Sequence, residues 1–241
     1  MKKESINKII IVTIFAIVMA FLESAVVIYL RKLFYPQGFN FPLRGFIEPN
    51  ILGIEWIRES ATIIMLITIG LLAGKKAYEK FAYFIYAFAI WDIFYYVFLK
   101  VLLGWPSSFL TWDLLFLIPW PWIGPILSPI LCSILMVITA ILIISLEDLN
   151  IKVKINAKEL ALVILGIILV LFTWLFDYGK IIITGNFLKN FLTLTNNEQF
   201  SQVISAYSPT YYNWPVFLIG FIISSIGICL FYIRNKKKIK N

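Results

Sequence analysis

The chain reads as all-α: a polytopic integral membrane bundle of about six transmembrane helices, N-in and C-in, with short interfacial helices on the outer side. Three observations predict it. Of 241 residues, 61% are hydrophobic and only 14% charged, against about a quarter charged in soluble domains. The apolar residues arrive in blocks of about 20, the length that crosses a bilayer core. Basic residues gather in the short segments between blocks, where they set orientation. The length suits a single transmembrane domain over residues 1–241, with no room for a soluble one.

The first block spans 9–30 and follows the charged stretch MKKESINK. It is too long for a signal h-region and no small-residue cleavage site follows, so it is expected to stay as the first membrane helix. The other expected spans are 57–73, 81–103, 126–146, 160–176 and 214–233. Their ends carry the usual punctuation: Gly74 with Lys75 and Lys76, Gly104 with Pro106, and Arg234 with a lysine run.

Orientation follows from the basic residues. With the N-terminus inside, Lys2, Lys3, Lys8, Lys75, Lys76, Lys80, Lys152, Lys154, Lys158, Arg234, Lys236, Lys237, Lys238 and Lys240 fall on the cytoplasmic side. Arg31, Lys32, Arg44, Arg58, Lys100, Lys180 and Lys189 fall outside. That two-to-one excess predicts a multi-pass cell-membrane protein with both termini cytoplasmic. The net charge of +8 is thereby topology information, and nucleic acid is not an expected partner. The lipid bilayer is, and the oligomeric state is left open.

The outer connections, about 31–56, 104–125 and 177–213, are long and rich in aromatics. Trp105, Trp112, Trp120, Trp122, Tyr211, Tyr212 and Trp214 suit an interfacial belt, because their rings are amphipathic. FLTWDLLFLIP (residues 109–119) is too short to span, so it is expected as an interfacial or re-entrant helix ended by prolines. NFLKNFLTL and EQFSQVISAY suit surface amphipathic helices. The two Trp-Asp pairs, 21 residues apart, read as coincidence and not as a repeat.

Histidine is absent, which removes histidine-ligated haem, most zinc and copper sites, and any Ser-His or Cys-His nucleophile. No cofactor is expected, and a metal would have to be held by carboxylates alone. Cys132 and Cys229 lie at different depths of apolar blocks, so they read as small hydrophobes, not a disulfide.

The informative residues are charges inside the spans, which cost roughly 2.5–3.5 kcal/mol each on insertion scales. Glu23 lies about 21 Å along the first helix, in its outer third, and Asp92 lies near the middle of the third. Arg31 and Lys100 each stand eight positions beyond these carboxylates. An axial gap of about 12 Å makes partners on neighbouring helices the better expectation. Glu55, Arg58 and Glu59 share one face of the second helix. Tyr95 and Tyr96 project one turn beyond Asp92, and Asp113 comes from the short outer segment. The candidate ligand-binding set is therefore Glu23, Arg31, Glu55, Arg58, Glu59, Asp92, Tyr95, Tyr96, Lys100 and Asp113, with no catalytic residue and no metal ligand assigned. Three readings stay open: a polar cavity, a set of ion pairs locking the elements together, and interfacial snorkelling.

ESAVVIYLR (residues 23–31) and WDIFYYVFLKVLLGWPSSFLTWDLLFLIPWPWIGP (residues 91–125) resemble segments of an uncharacterised family of prokaryotic polytopic membrane proteins, with YYNWPVF (residues 211–217) as a further element. The resemblance implies an integral membrane protein and no activity. The leading expectation is binding or transport of a small polar or amphipathic ligand or ion through a pocket in the outer half of helices one to three, with Asp92 as a proton-coupling group. The alternatives are a membrane enzyme acting on a lipid-linked substrate through Glu23, Glu59, Asp92 and Asp113, and an accessory subunit of a membrane complex.

Overall fold

Each long apolar block folds as one helix, because a backbone in lipid must satisfy its own hydrogen bonds. The computed structural model describes residues 1–42, 49–149, 151, 153–187 and 197–237. In chain order the elements are α1 (Lys3–Phe34), α2 (Pro49–Ala73), α3 (Ala77–Leu103), β1 (Trp112–Phe116), β2 (Trp122–Pro125), α4 (Leu127–Asp148), α5 (Ala157–Thr184), α6 (Glu198–Ala206) and α7 (Trp214–Lys237). Six of these, α1 to α5 and α7, are long and apolar enough to cross a membrane. They form a helical bundle.

The helices run further than hydropathy alone indicates. α2 starts eight residues before the expected 57 and so contains all of EWIRES; α5 continues to Thr184, past the expected 176. Polar residues extend a helix when neighbouring elements satisfy them, and a hydropathy window ends where they begin. Local signals mark the true ends. Asn156 caps α5 by accepting from the amides of Lys158 and Glu159, at 2.7 and 3.2 Å. Gly104, at φ +68°, closes α3 in the left-handed conformation that glycine tolerates best.

α3 is the central helix, packing against α1, α2 and α4, while α5 pairs most extensively with α7. Close approach in both places depends on small residues. Ala16, Ala20, Ala82 and Ala87 are fully buried in the cluster at α1 and α3. On α5, a Cβ added at Gly166 would fall on the Ser224 hydroxyl and the Gly220 carbonyl of α7.

One end of the bundle gathers the charged helix termini. Ser5 donates to Asp148 (2.6 Å), Lys76 pairs with Glu147 (2.6 Å), Lys75 with Glu4 (2.8 Å) and Arg234 with Glu159 (2.6 Å). The start of α1, the α2–α3 turn, the end of α4, the start of α5 and the end of α7 therefore lie together. The opposite end holds the hairpin, α6 and the site.

The expected interfacial helix over 109–119 is instead strand β1. It pairs antiparallel with β2, matching Trp112 to Pro125, Asp113 to Gly124, Leu114 to Ile123 and Phe116 to Trp122, with a register irregularity between Leu114 and Phe116. Pro119 and Pro121 break any helix and place the turn between two short runs rich in aromatic and branched residues. The two Trp-Asp pairs thus serve different structures, one helical and one strand.

The aromatic belt needs a parallel correction. Trp112, Trp122 and Tyr212 turn inward and pack with Trp174 and Phe217 in a cluster under the hairpin. Tyr211, 69% exposed, does face outward. EQFSQVISAY does form helix α6, capped by Asn197 accepting from the Phe200 amide at 3.1 Å. NFLKNFLTL after Phe187, and likewise Arg44, lies outside the described residues.

Candidate functional site

α2 presents its polar residues at intervals of three and four. Glu55, Arg58, Glu59 and Thr62 therefore lie along one stripe, which faces α1, α3 and the hairpin. Arg58 is the hub of this stripe. It donates to Glu55 through Nε (2.9 Å) and Nη2 (2.6 Å), and its Nη1 pairs with Glu23 on α1. Thr62 donates to the other oxygen of Glu23 at 3.2 Å. Glu23 thus finds its partners on the neighbouring helix, as the 12 Å gap to Arg31 requires.

Arg31 reaches the hairpin instead. Its Nη2 donates to Asp113 Oδ1 at 2.9 Å, and Asp113 is fully buried. The guanidinium also lies in the corner of two perpendicular rings, 3.8 Å from the Trp105 centroid and 4.4 Å from that of Phe39. Stacking of this kind suits the planar, weakly hydrated arginine head. Burial raises the Asp113 carboxyl to about 6, while the Arg31 charge acts the other way.

The hairpin is tied to α2 as well. The Leu117 amide donates to Glu59 Oε2 at 2.9 Å. Asp92 accepts from the Ser133 hydroxyl of α4 at 2.7 Å. Neither Glu59 nor Asp92 has a basic side chain within ion-pair distance among the described residues. These two carboxyls each have one neutral donor.

These contacts surround a cavity of about 270 Å³, just below the roughly 300 Å³ at which drug-sized pockets begin. Nine of the ten predicted residues line it: Glu23, Arg31, Glu55, Arg58, Glu59, Asp92, Tyr95, Tyr96 and Asp113. Lys100 does not. Its ammonium folds over the end of α3, donating to the carbonyls of Gly104 (3.3 Å) and Pro106 (2.8 Å), so it caps a helix and takes no part in the cavity.

Sequence reasoning missed several lining residues. Thr62 was legible as the next position of the Glu55–Glu59 stripe. Trp91 and Tyr178 carried no such signal, because a buried aromatic on an apolar helix looks like core. The hairpin supplies Leu114 to Leu117 and Trp120, and α6 supplies Phe200. Among the lining residues, Arg31 Nη1, Trp91 Nε1, the Tyr178 hydroxyl and the acceptor Asp113 Oδ2 are buried without a protein hydrogen-bond partner. A buried donor left in this state costs about 1–3 kcal/mol. The arrangement can accept hydrogen-bonding groups from a guest, and its walls of leucine and aromatic rings can cover an apolar body. No family model, curated protein or solved structure matches this chain.

Proposed function

We propose that the protein binds or transports a small polar or amphipathic ligand in the cavity between α1, α2, α3 and the hairpin. The observation that carries this reading is the set of unpartnered buried atoms on Arg31, Trp91 and Tyr178, all on residues that line one cavity. A network serving only to lock helices together would be expected to satisfy its own members. The open carboxyls of Glu59 and Asp92 support the same reading.

The setting is a cell membrane crossed six times, with both termini cytoplasmic. The lysine-rich end of the bundle is then the inner one, and the cavity belongs to the outer half. The resemblance of residues 23–31 and 91–125 to a prokaryotic membrane family fits that setting and adds no activity.

Native mass spectrometry after extraction in mild detergent tests the proposal. A bound non-protein mass is expected on the wild type. Gly53 lines the cavity and a Cβ there meets nothing within 4 Å, so Gly53→Trp should fill the space without disturbing the fold. The bound mass should disappear in that variant. A wild type that carries no adduct, or an adduct that survives Gly53→Trp, would remove the proposal.

A further inference from the structure

The charges around the cavity do not balance. Five carboxyls line it, those of Glu23, Glu55, Glu59, Asp92 and Asp113, against two guanidiniums, Arg31 and Arg58. Both guanidiniums are in ion pairs: Arg31 with Asp113 through Nη2, its Nη1 remaining without a partner, and Arg58 with Glu23 and Glu55 together. Among the described residues, Glu59 accepts from a backbone amide and Asp92 from a hydroxyl, and neither forms an ion pair. An ionised carboxylate in low dielectric needs a counter-charge or must neutralise. Among the described residues, no basic group supplies one at ion-pair distance.

No three acidic or sulfur side chains among the described residues converge closely enough to hold a metal ion. Separated carboxyls suit a cation attached to a larger body. The lining also includes the stacked pair Trp91 and Tyr95, 6.4 Å between centroids, and ring faces attract organic cations. Trp91 is 7% exposed and Tyr178 1%, and their unpartnered Nε1 and hydroxyl call for an acceptor on the same guest.

Resting on the binding reading above, we infer that the ligand is an organic ammonium compound with an apolar body and a hydrogen-bond acceptor, its charge attracted by the Glu59 and Asp92 carboxyls that line the cavity. The apolar body lies against the hairpin side, at Leu117 and Trp120. A guest without the charge would leave both carboxyls to be neutralised by protons, and the cavity would then show no preference for a cation.

The test uses three probes of similar size, each carrying a methoxy acceptor: 2-(4-methoxyphenyl)ethylammonium, 2-(4-methoxyphenyl)ethanol and 4-methoxyphenylacetate, titrated by calorimetry into the protein in detergent. The ammonium probe should bind at least tenfold more tightly than the other two. Glu59→Gln and Asp92→Asn, which keep an acceptor for the Leu117 amide and the Ser133 hydroxyl, should each weaken it about tenfold. Lys100→Gln, outside the cavity, should leave it unchanged. Equal or tighter binding of the alcohol or the carboxylate overturns the inference, as does undiminished ammonium binding in both acid variants. If no probe binds while native mass spectrometry still shows the endogenous adduct, the ammonium assignment fails and the binding reading stands. If neither is seen, both fail.

Discussion

Arg58 serves two carboxylates at once, Glu23 on α1 and Glu55 one turn back on its own helix. Arg31 serves Asp113 while lying against both Trp105 and Phe39. Removing one member of such a buried pair strands the other, at a cost of about 3–5 kcal/mol. Asp113→Ala should therefore lower the thermal midpoint in detergent by roughly 10 °C. Asp113→Asn retains an acceptor for Arg31 and should lose less. Equal losses in the two variants would mean that the pair does not act through Arg31. The pH dependence has a definite sign. The folded Asp113 carboxyl titrates at about 6, raised by burial against the pull of Arg31 and the Tyr96 hydroxyl, whereas the unfolded group titrates near 3.9. The folded state holds this proton more tightly. Its contribution is complete below about 3.9 and is lost as pH rises through about 6. The midpoint of the wild type relative to Asp113→Asn should fall across that window, and a constant difference would rule the shift out.

At the scale of elements, the hairpin and the α5–α7 seam do different work. The hairpin covers the cavity because it is held from several sides: its Leu117 amide by Glu59 on α2, its Asp113 side chain by Arg31 on α1, and its Trp122 ring by stacking 5.7 Å from Trp174 on α5. Glu59→Ala deletes the acceptor of the Leu117 amide, so limited proteolysis should cut the 117–121 turn faster than in Glu59→Gln. Identical cleavage rates would show that this bond does not hold the turn. The α5–α7 seam has no such polar ties near its centre and relies on small residues. Gly166→Leu has no room beside Gly220 and Ser224, so it should abolish a monodisperse gel-filtration peak, whereas Gly179→Leu, which meets nothing within 4 Å, should preserve it.

Among the described residues six helices are long and apolar enough to cross a membrane, with the start of α1 and the end of α7 at one end of the bundle, and the basic residues predict that this end is cytoplasmic. Reporter fusions at Met1 and Asn241 should both report cytoplasm, while an insertion at Ser107 should report the outer side. A reversed pattern would move the cavity to the cytoplasmic face and overturn that part of the proposal.

How much of this was legible in the chain differs by residue. Glu23, Glu55, Arg58, Glu59 and Asp92 stood out because a charge in an apolar run is conspicuous on its own. Lys100 stood out for the same reason and yet only caps its helix, since a long side chain can turn back to the nearest free carbonyls. Asp113 was visible as a charge, but its strand was not, because a short apolar run bounded by prolines suits either element until a partner strand is known. Ser133, Trp91 and Tyr178 were silent. By itself the sequence determined the six apolar helices and the charges they must accommodate, because hydropathy and the cost of buried charge are properties of the residues. Only the tertiary structure decided which charges meet, that a hairpin closes over them, and that among the described residues Glu59 and Asp92 have no basic group at ion-pair distance, because these depend on which helices become neighbours.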